Sequence, residues 1–240
     1  MRYIILALAL VFGLGNADES IEQMVDRGAY EEAFERAQIA ANRGDAEAHD
    51  WLGWFYENGN GVAADMESAE AHYRVAAGLG DDHARWRLGV LIDEGKLSGS
   101  LEEAVALFEA NAANDYSNGI VSLAVMQATG RGTPLDYDAA LASYMRAARL
   151  GDSGGVRGVG VMFYHGQAVE QDPEEALAWF LISAGMGNED GESSFYAVAE
   201  ELPDTDLGQV QERAFRIAEE LGLEISDDGE AEEPTDSSPS

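Results

Sequence analysis

Apolar and small residues return along the chain at a spacing of about 36 residues. Aligning Trp51–Val62 with Gly158–Val169 puts Leu52 on Val159, Gly53 on Gly160, Tyr56 on Phe163, Gly59 on Gly166 and Val62 on Val169. Leu88-Gly89 and Leu123-Ala124 fall between them in the same register. A period of this length predicts a stack of small helical units rather than one closed core. In the unit from Ala46 to Gly80, Ala48, Leu52 and Tyr56 recur every four residues and mark one face of a first helix, helix A. Gly59-Asn60-Gly61 ends it, because glycine accepts the left-handed conformation that closes a helix. Asp65 starts a second helix, helix B, with Ala69, Tyr73, Ala76 and Ala77 turned inward. Gly53 and the alanines let backbones approach closely, and Tyr56 and Tyr73 fill the space that remains.

The other units repeat this plan. Ser100-Leu101-Glu102-Glu103 predicts a capping box at the second helix B, followed by Ala104, Phe108, Ala112 and Ala113. The third carries Asp136, Ala140, Tyr144, Ala147, Ala148 and Gly151. The fourth opens with Asp172 as cap and Pro173 in the first turn, then Ala176, Phe180, Ala184 and Gly187. The ends differ, as stack ends must. Residues 18–27 and 29–43 read as an opening helix pair, and 189–202 and 206–221 as a closing pair with an apolar stripe through Val210, Ala214, Ile217 and Leu221. The expected architecture is all-α, a right-handed α-solenoid of antiparallel helix pairs. A capping pair covers 18–44, four repeats cover about 45–80, 81–114, 115–151 and 152–187, and a second capping pair covers 188–222.

Charge narrows the partners. Across 240 residues the formal net charge is −32, a surface that repels nucleic-acid phosphates and anionic lipid. It suits a basic partner, cations or a salty medium, with solubility as the plainest account. There is no cysteine, which rules out a disulfide framework, a cysteine-bound metal and a lipoprotein anchor. Met1-Arg2, the apolar run Ile4–Phe12 and the small-residue exit to Ala17 predict a secretory signal cleaved after Ala17, hence a periplasmic or secreted chain. That run is too short to span a bilayer, so no stable membrane insertion is expected. Residues 223–240 read as a disordered acidic tail, since Glu224–Ser240 holds seven acidic residues, two prolines and almost no apolar side chain.

Several strings imitate catalytic motifs. Gly151-Asp152-Ser153-Gly154-Gly155 reproduces the serine string of trypsin-like proteases and the Gly-x-Ser-x-Gly elbow of hydrolases. It falls at a repeat boundary with no strand pattern before it, so a helix junction is the expected role. Gly155-Val156-Arg157-Gly158-Val159-Gly160 lacks the lysine and preceding strand of a phosphate loop, and its glycines are expected to serve helix packing. His49, His72, His83 and His165 show no three- or four-residue spacing on one helix. They are therefore expected to be isolated surface side chains, with no metal site, cofactor or catalytic residue.

The string Leu-Gly-x-x-Tyr-x-x-Gly-x-Gly-Val, followed by an Asp, an Ala, a Tyr and Ala-Ala before Gly-Asp, resembles the Sel1-like repeat, a relative of the tetratricopeptide repeat. Ala46–Asp81 matches almost completely. Asp152–Gly187 carries Ala168 where glycine is usual, Asp115–Gly151 carries Ala124 for the small glycine, and Asp81–Asn114 replaces the loop with Lys96-Leu97-Ser98-Gly99. The resemblance covers roughly 150 residues. It implies a non-enzymatic protein–protein adaptor, of the kind secreted bacterial members supply to envelope machinery.

In the related tetratricopeptide geometry, helix A lines a concave face. Register then gives three rows: Asp50, Trp86, Val121 and Arg157; Trp54, Val90, Val125 and Val161; Glu57, Asp93, Ala128 and Tyr164. An apolar second row between polar ones would suit a partner peptide or helix, with Trp54 and Trp86 as anchors. Packing between repeats is the competing role for both tryptophans. Two other functions remain open: a hydrolase of penicillin-like compounds, whose Sel1-like members are cysteine-rich, and a glycan or peptidoglycan binder stacking sugars on Trp54, Trp86 and Tyr164.

Overall fold

The structure, a computed structural model, describes residues 19–223. The expected signal at 1–17 and the acidic tail from 224 on lie outside the described residues. Among the described residues there are twelve α-helices and no strand. They are α1 (Ile21–Asp26), α2 (Tyr30–Ala41), α3 (Ala46–Asn58), α4 (Met66–Gly78), α5 (Asp82–Asp93) and α6 (Leu101–Ala113). There follow α7 (Ser117–Thr129), α8 (Tyr137–Arg149), α9 (Ser153–His165), α10 (Pro173–Gly185), α11 (Glu189–Glu201) and α12 (Leu207–Leu221). Helices α1 to α4 pack in sequence, as do α6 to α11, and α12 packs on α10. The described residues form two compact units, divided within α5 between Ala84 and Arg85.

Local chemistry sets the helix ends. Asp45, Asp65, Asp136, Asp152 and Asp172 each accept a backbone N–H of the first turn of the helix that follows. Gly59, Gly130 and Gly166 close α3, α7 and α9 in the left-handed conformation. Ser100 accepts from the Glu103 amide at 3.3 Å. A reciprocal capping box forms at Ser20 and Gln23, a pair the sequence reading did not single out.

In residues 19–84, α1 to α4 pack in sequence around Met24, Phe34, Leu52 and Phe55. Gly53 is the contact point of α3 and α4: a Cβ there would lie 2.5 Å from the Tyr73 ring, which is fully buried. Only a residue without a side chain lets the ring seat against the α3 backbone. In residues 85–223 the same contact recurs as Gly89 on Phe108, and as Gly160 on Phe180. Where Ala124 takes the glycine's place it is fully buried, and the Tyr144 ring instead lies against the backbone of Gly158 on α9.

A second column of small residues joins each helix B to the next helix A. Gly119 meets Asn111, Gly155 meets Ala147 and Gly191 meets Ser183, each too close for a Cβ on the glycine. Asn111 and Ser183 are fully buried polar side chains, and the Ser183 hydroxyl donates to the Ser153 carbonyl at 2.9 Å. Larger residues at either side of this column would force the hairpins apart.

Candidate functional site

In residues 19–84, α3 turns Asp50 and Trp54 to the same side, one helical turn apart. With Glu47 and Trp51 of the same helix they line a cavity of about 460 Å³, closed by Glu22 and Val25 of α1 and by Asp81 and His83. Asp81 caps the start of α5 by accepting the Ala84 amide at 2.8 Å. That cap holds His83 in the first turn of α5, where its Nδ1 donates to Asp50 Oδ2 at 2.7 Å. Asp50 keeps only 14% of its side chain exposed, and its Oδ1 is buried without a hydrogen-bond partner. Burial pushes the Asp50 carboxyl above the ordinary carboxylate range, opposed by the His83 hydrogen bond. The Trp51 and Trp54 rings meet edge to face, 5.8 Å between centroids. Glu57, the third of the expected residues in this unit, accepts from the Tyr73 hydroxyl at 2.8 Å.

The expected residues of 85–223 sit in a different setting. Trp86 is half-buried and its Nε1 donates to Ser122 Oγ of α7 at 3.1 Å. Asp93 accepts from Arg131 at 2.6 Å. Arg157 Nε donates to Ser194 Oγ of α11 at 3.4 Å. The Tyr164 hydroxyl donates to Glu201 at 2.7 Å, which together with desolvation holds that phenol above its ordinary range. Each bond joins residues 36 to 38 positions apart, so the polar rows act as pins between successive repeats. Of the apolar row, Val90 and Val161 are half-buried and Val125 is exposed, while Val121 of the first row and Ala128 pack against the core.

The histidines depart from the expectation of isolated surface side chains. His49 on α3 and His72 on α4 approach to 3.0 Å between their Nδ1 atoms, and both are half-buried. His72 also stacks on Tyr56, with 5.6 Å between centroids. Burial and then the His49 charge hold His72 below the usual imidazole value of 6.5. His83 is bonded to Asp50 and groups with Asp81, the three ligand atoms lying within 4.8 Å of one another. Spacing along one helix hid both groupings, because their members lie on different helices. His165 remains exposed at the end of α9.

The serine-protease string is a helix junction. Asp152 caps α9 by accepting the Gly155 amide at 2.9 Å. Ser153 is the first residue of α9, and its hydroxyl accepts from Asn188 at 3.2 Å. His165 lies at the far end of the same thirteen-residue helix, about 18 Å away along its axis. That distance excludes it as the base for Ser153.

A family model described as Sel1 repeat matches residues 46–81, 82–116, 118–152 and 156–188. No curated protein matches the sequence. The structure is similar to a protective antigen of uropathogenic Escherichia coli displaying an SLR fold, with TM-score 0.71, 23% identity and 84% of this chain covered. The chain spans 48% of that protein's length. It is similar to a Sel1 repeat protein from Oxalobacter formigenes, with TM-score 0.65, 23% identity and 83% of each chain covered. An immunity protein from Pseudomonas aeruginosa aligns with TM-score 0.52 and 14% identity over 85% of this chain and 84% of its own. At these identities the likeness establishes the fold alone.

Proposed function

We propose that this chain, which belongs to the Sel1 repeat family, is a non-enzymatic scaffold that binds a protein partner on its helix-A face in the bacterial cell envelope. The family supplies the general role, since Sel1 repeats are scaffolds typical of protein–protein interaction. The observation that carries the reading is the cavity at Asp50 and Trp54. Two helix-A side chains picked out by register alone open together onto a concave surface with aromatic and charged walls. The other residues proposed to bind are Glu57 in residues 19–84 and, in residues 85–223, Trp86, Val90, Asp93, Val121, Val125, Arg157, Val161 and Tyr164.

The envelope location rests on the sequence of residues 1–17, read as a secretory signal. No helix among the described residues is long and apolar enough to cross a membrane. The charge of −32 supports a protein rather than a nucleic acid as partner. Against hydrolysis stands the engagement of Asp152 and Ser153 in the α9 junction.

Crosslinking and pull-down from a native envelope fraction tests the reading, with Trp54→Ala/Trp86→Ala as control. A defined partner, lost with the double variant while helical circular dichroism persists, is the expected result. A partner retained by the variant contradicts binding on the helix-A face. Turnover of a chromogenic lactam contradicts the non-enzymatic role.

A further inference from the structure

Residues 19–84 carry two sizeable cavities, and their walls differ in a way that names an occupant. The larger, about 1040 Å³, is lined by Glu19, Glu31, Glu32 and Glu35 together with Arg36 and Arg43, so its carboxylates already face cations. The smaller, about 460 Å³, is lined by Glu22, Glu47, Asp50 and Asp81, two tryptophans, Val25 and His83. No arginine among the described residues lines it. Arg27 is held by Glu19 and Glu32, Arg36 bonds the Glu19 carbonyl, Arg74 pairs with Glu70, and Arg43 lines the other cavity. His83, the one group there able to turn cationic, already bonds Asp50.

We propose that this smaller cavity receives the guanidinium of an arginine presented by the partner protein, an inference that rests on the scaffold reading above. Three features fit this occupant. Trp51 and Trp54 are half-buried, both line the cavity and their rings stand at 83° to each other, so a flat cation entering it meets indole rings on its wall. Four carboxylates, Glu22, Glu47, Asp50 and Asp81, line the same cavity. The volume lies within the range of ligand sites, about 300–1,000 Å³. A bare metal ion fits less well. His83 Nδ1 and Asp50 Oδ2 are 2.7 Å apart, a hydrogen-bond distance. Two ligands around a zinc ion at about 2.0 Å would stand about 3.3 Å apart. The tryptophans would have no part in such a site.

The test uses the full chain and the capped peptide acetyl-Gly-Gly-Arg-Gly-Gly-amide, with its citrulline counterpart as an uncharged mimic. The four tryptophan indole N–H resonances report the site. The Arg peptide is expected to move the Trp51 and Trp54 signals saturably and to leave Trp86 and Trp179 in place. The citrulline peptide is expected to bind about tenfold or more weakly, as is the Arg peptide to Asp50→Asn, a variant chosen because it keeps the side-chain shape. Signals unmoved by the Arg peptide at about 10 mM overturn the proposal. So do equal responses to the two peptides, or Zn²⁺ saturating the same signals where the Arg peptide does not. In the pull-down, a partner retained by both Asp50→Asn and Trp54→Ala overturns the arginine pocket and leaves the scaffold standing. Absence of any captured partner, with saturable Arg-peptide binding intact, overturns the scaffold role and leaves the cavity's chemistry standing.

Discussion

The same repeat is used differently in residues 19–84 and in residues 85–223. In the second region the polar positions of helix A tie one repeat to the next: Trp86 to Ser122, Arg131 to Asp93, Arg157 to Ser194 and Tyr164 to Glu201. In the first region Asp50 also bonds the next helix A, through His83, but it and Trp54 border a cavity, and titratable side chains are half-buried around and behind it. The difference teaches that a repeat register locates a face without saying which part of it is free to bind. A side chain already bonded to its neighbour repeat must break that bond before it can serve a partner.

Substitutions can separate these two uses of the repeat. The largest expected effect is at the ring beneath the cavity helix. Tyr73→Ala removes a fully buried side chain and its bond to Glu57, and should lower stability by about 3–5 kcal/mol in a denaturant titration. A loss near zero would mean that α3 and α4 are not held by that contact. In the second region the small-residue column is the sensitive element. Gly155→Ala places a Cβ 2.6 Å from Ala147 Cβ and 2.8 Å from the Ala148 backbone nitrogen, and should cost about 1–3 kcal/mol. Ala168 works in the opposite direction. It holds φ +61 where the aligned Gly61 has φ +70. Ala168→Gly should therefore raise stability by about 1 kcal/mol, measured as a shifted unfolding midpoint.

The smallest effect is a pH dependence confined to the first region. His72 has a folded-state pKa held below 6.5, so the folded chain binds its proton less readily than the unfolded chain. Stability present above pH 6.5 should fall as the pH drops through the folded-state value. Thermal unfolding scans at pH 7.5 and pH 5 should show the loss, and His72→Gln should reduce it. An unchanged pH profile in that variant would assign the dependence to other groups.

Much of the fold is legible in the sequence because its causes are local. The Asp caps, the closing glycines and the four-residue apolar spacing lie within a few positions of the helices they define. The Gly53–Tyr73 contact could be read from one unit because it joins the two helices of a single hairpin. The column of Gly119, Gly155 and Gly191 recurs at the repeat period too, yet its meaning depends on Asn111, Ala147 and Ser183 of the preceding hairpin. The site was less legible for the same reason. Register placed Asp50 and Trp54 on the helix-A face. It could not show that His83, 33 residues on, would bond Asp50, nor that His49 and His72 would meet across antiparallel helices 23 residues apart. Nor could it tell Trp54, beside a cavity, from Trp86, bonded to Ser122.

That last distinction gives the most direct test. The affinity of the captured partner should be measured for the chain as it stands, for Trp54→Ala and for Trp86→Ala, with circular dichroism confirming that both variants stay helical. The account predicts a loss of about tenfold or more for Trp54→Ala and a loss several times smaller for Trp86→Ala. Equal losses, or a greater loss at Trp86, would contradict it.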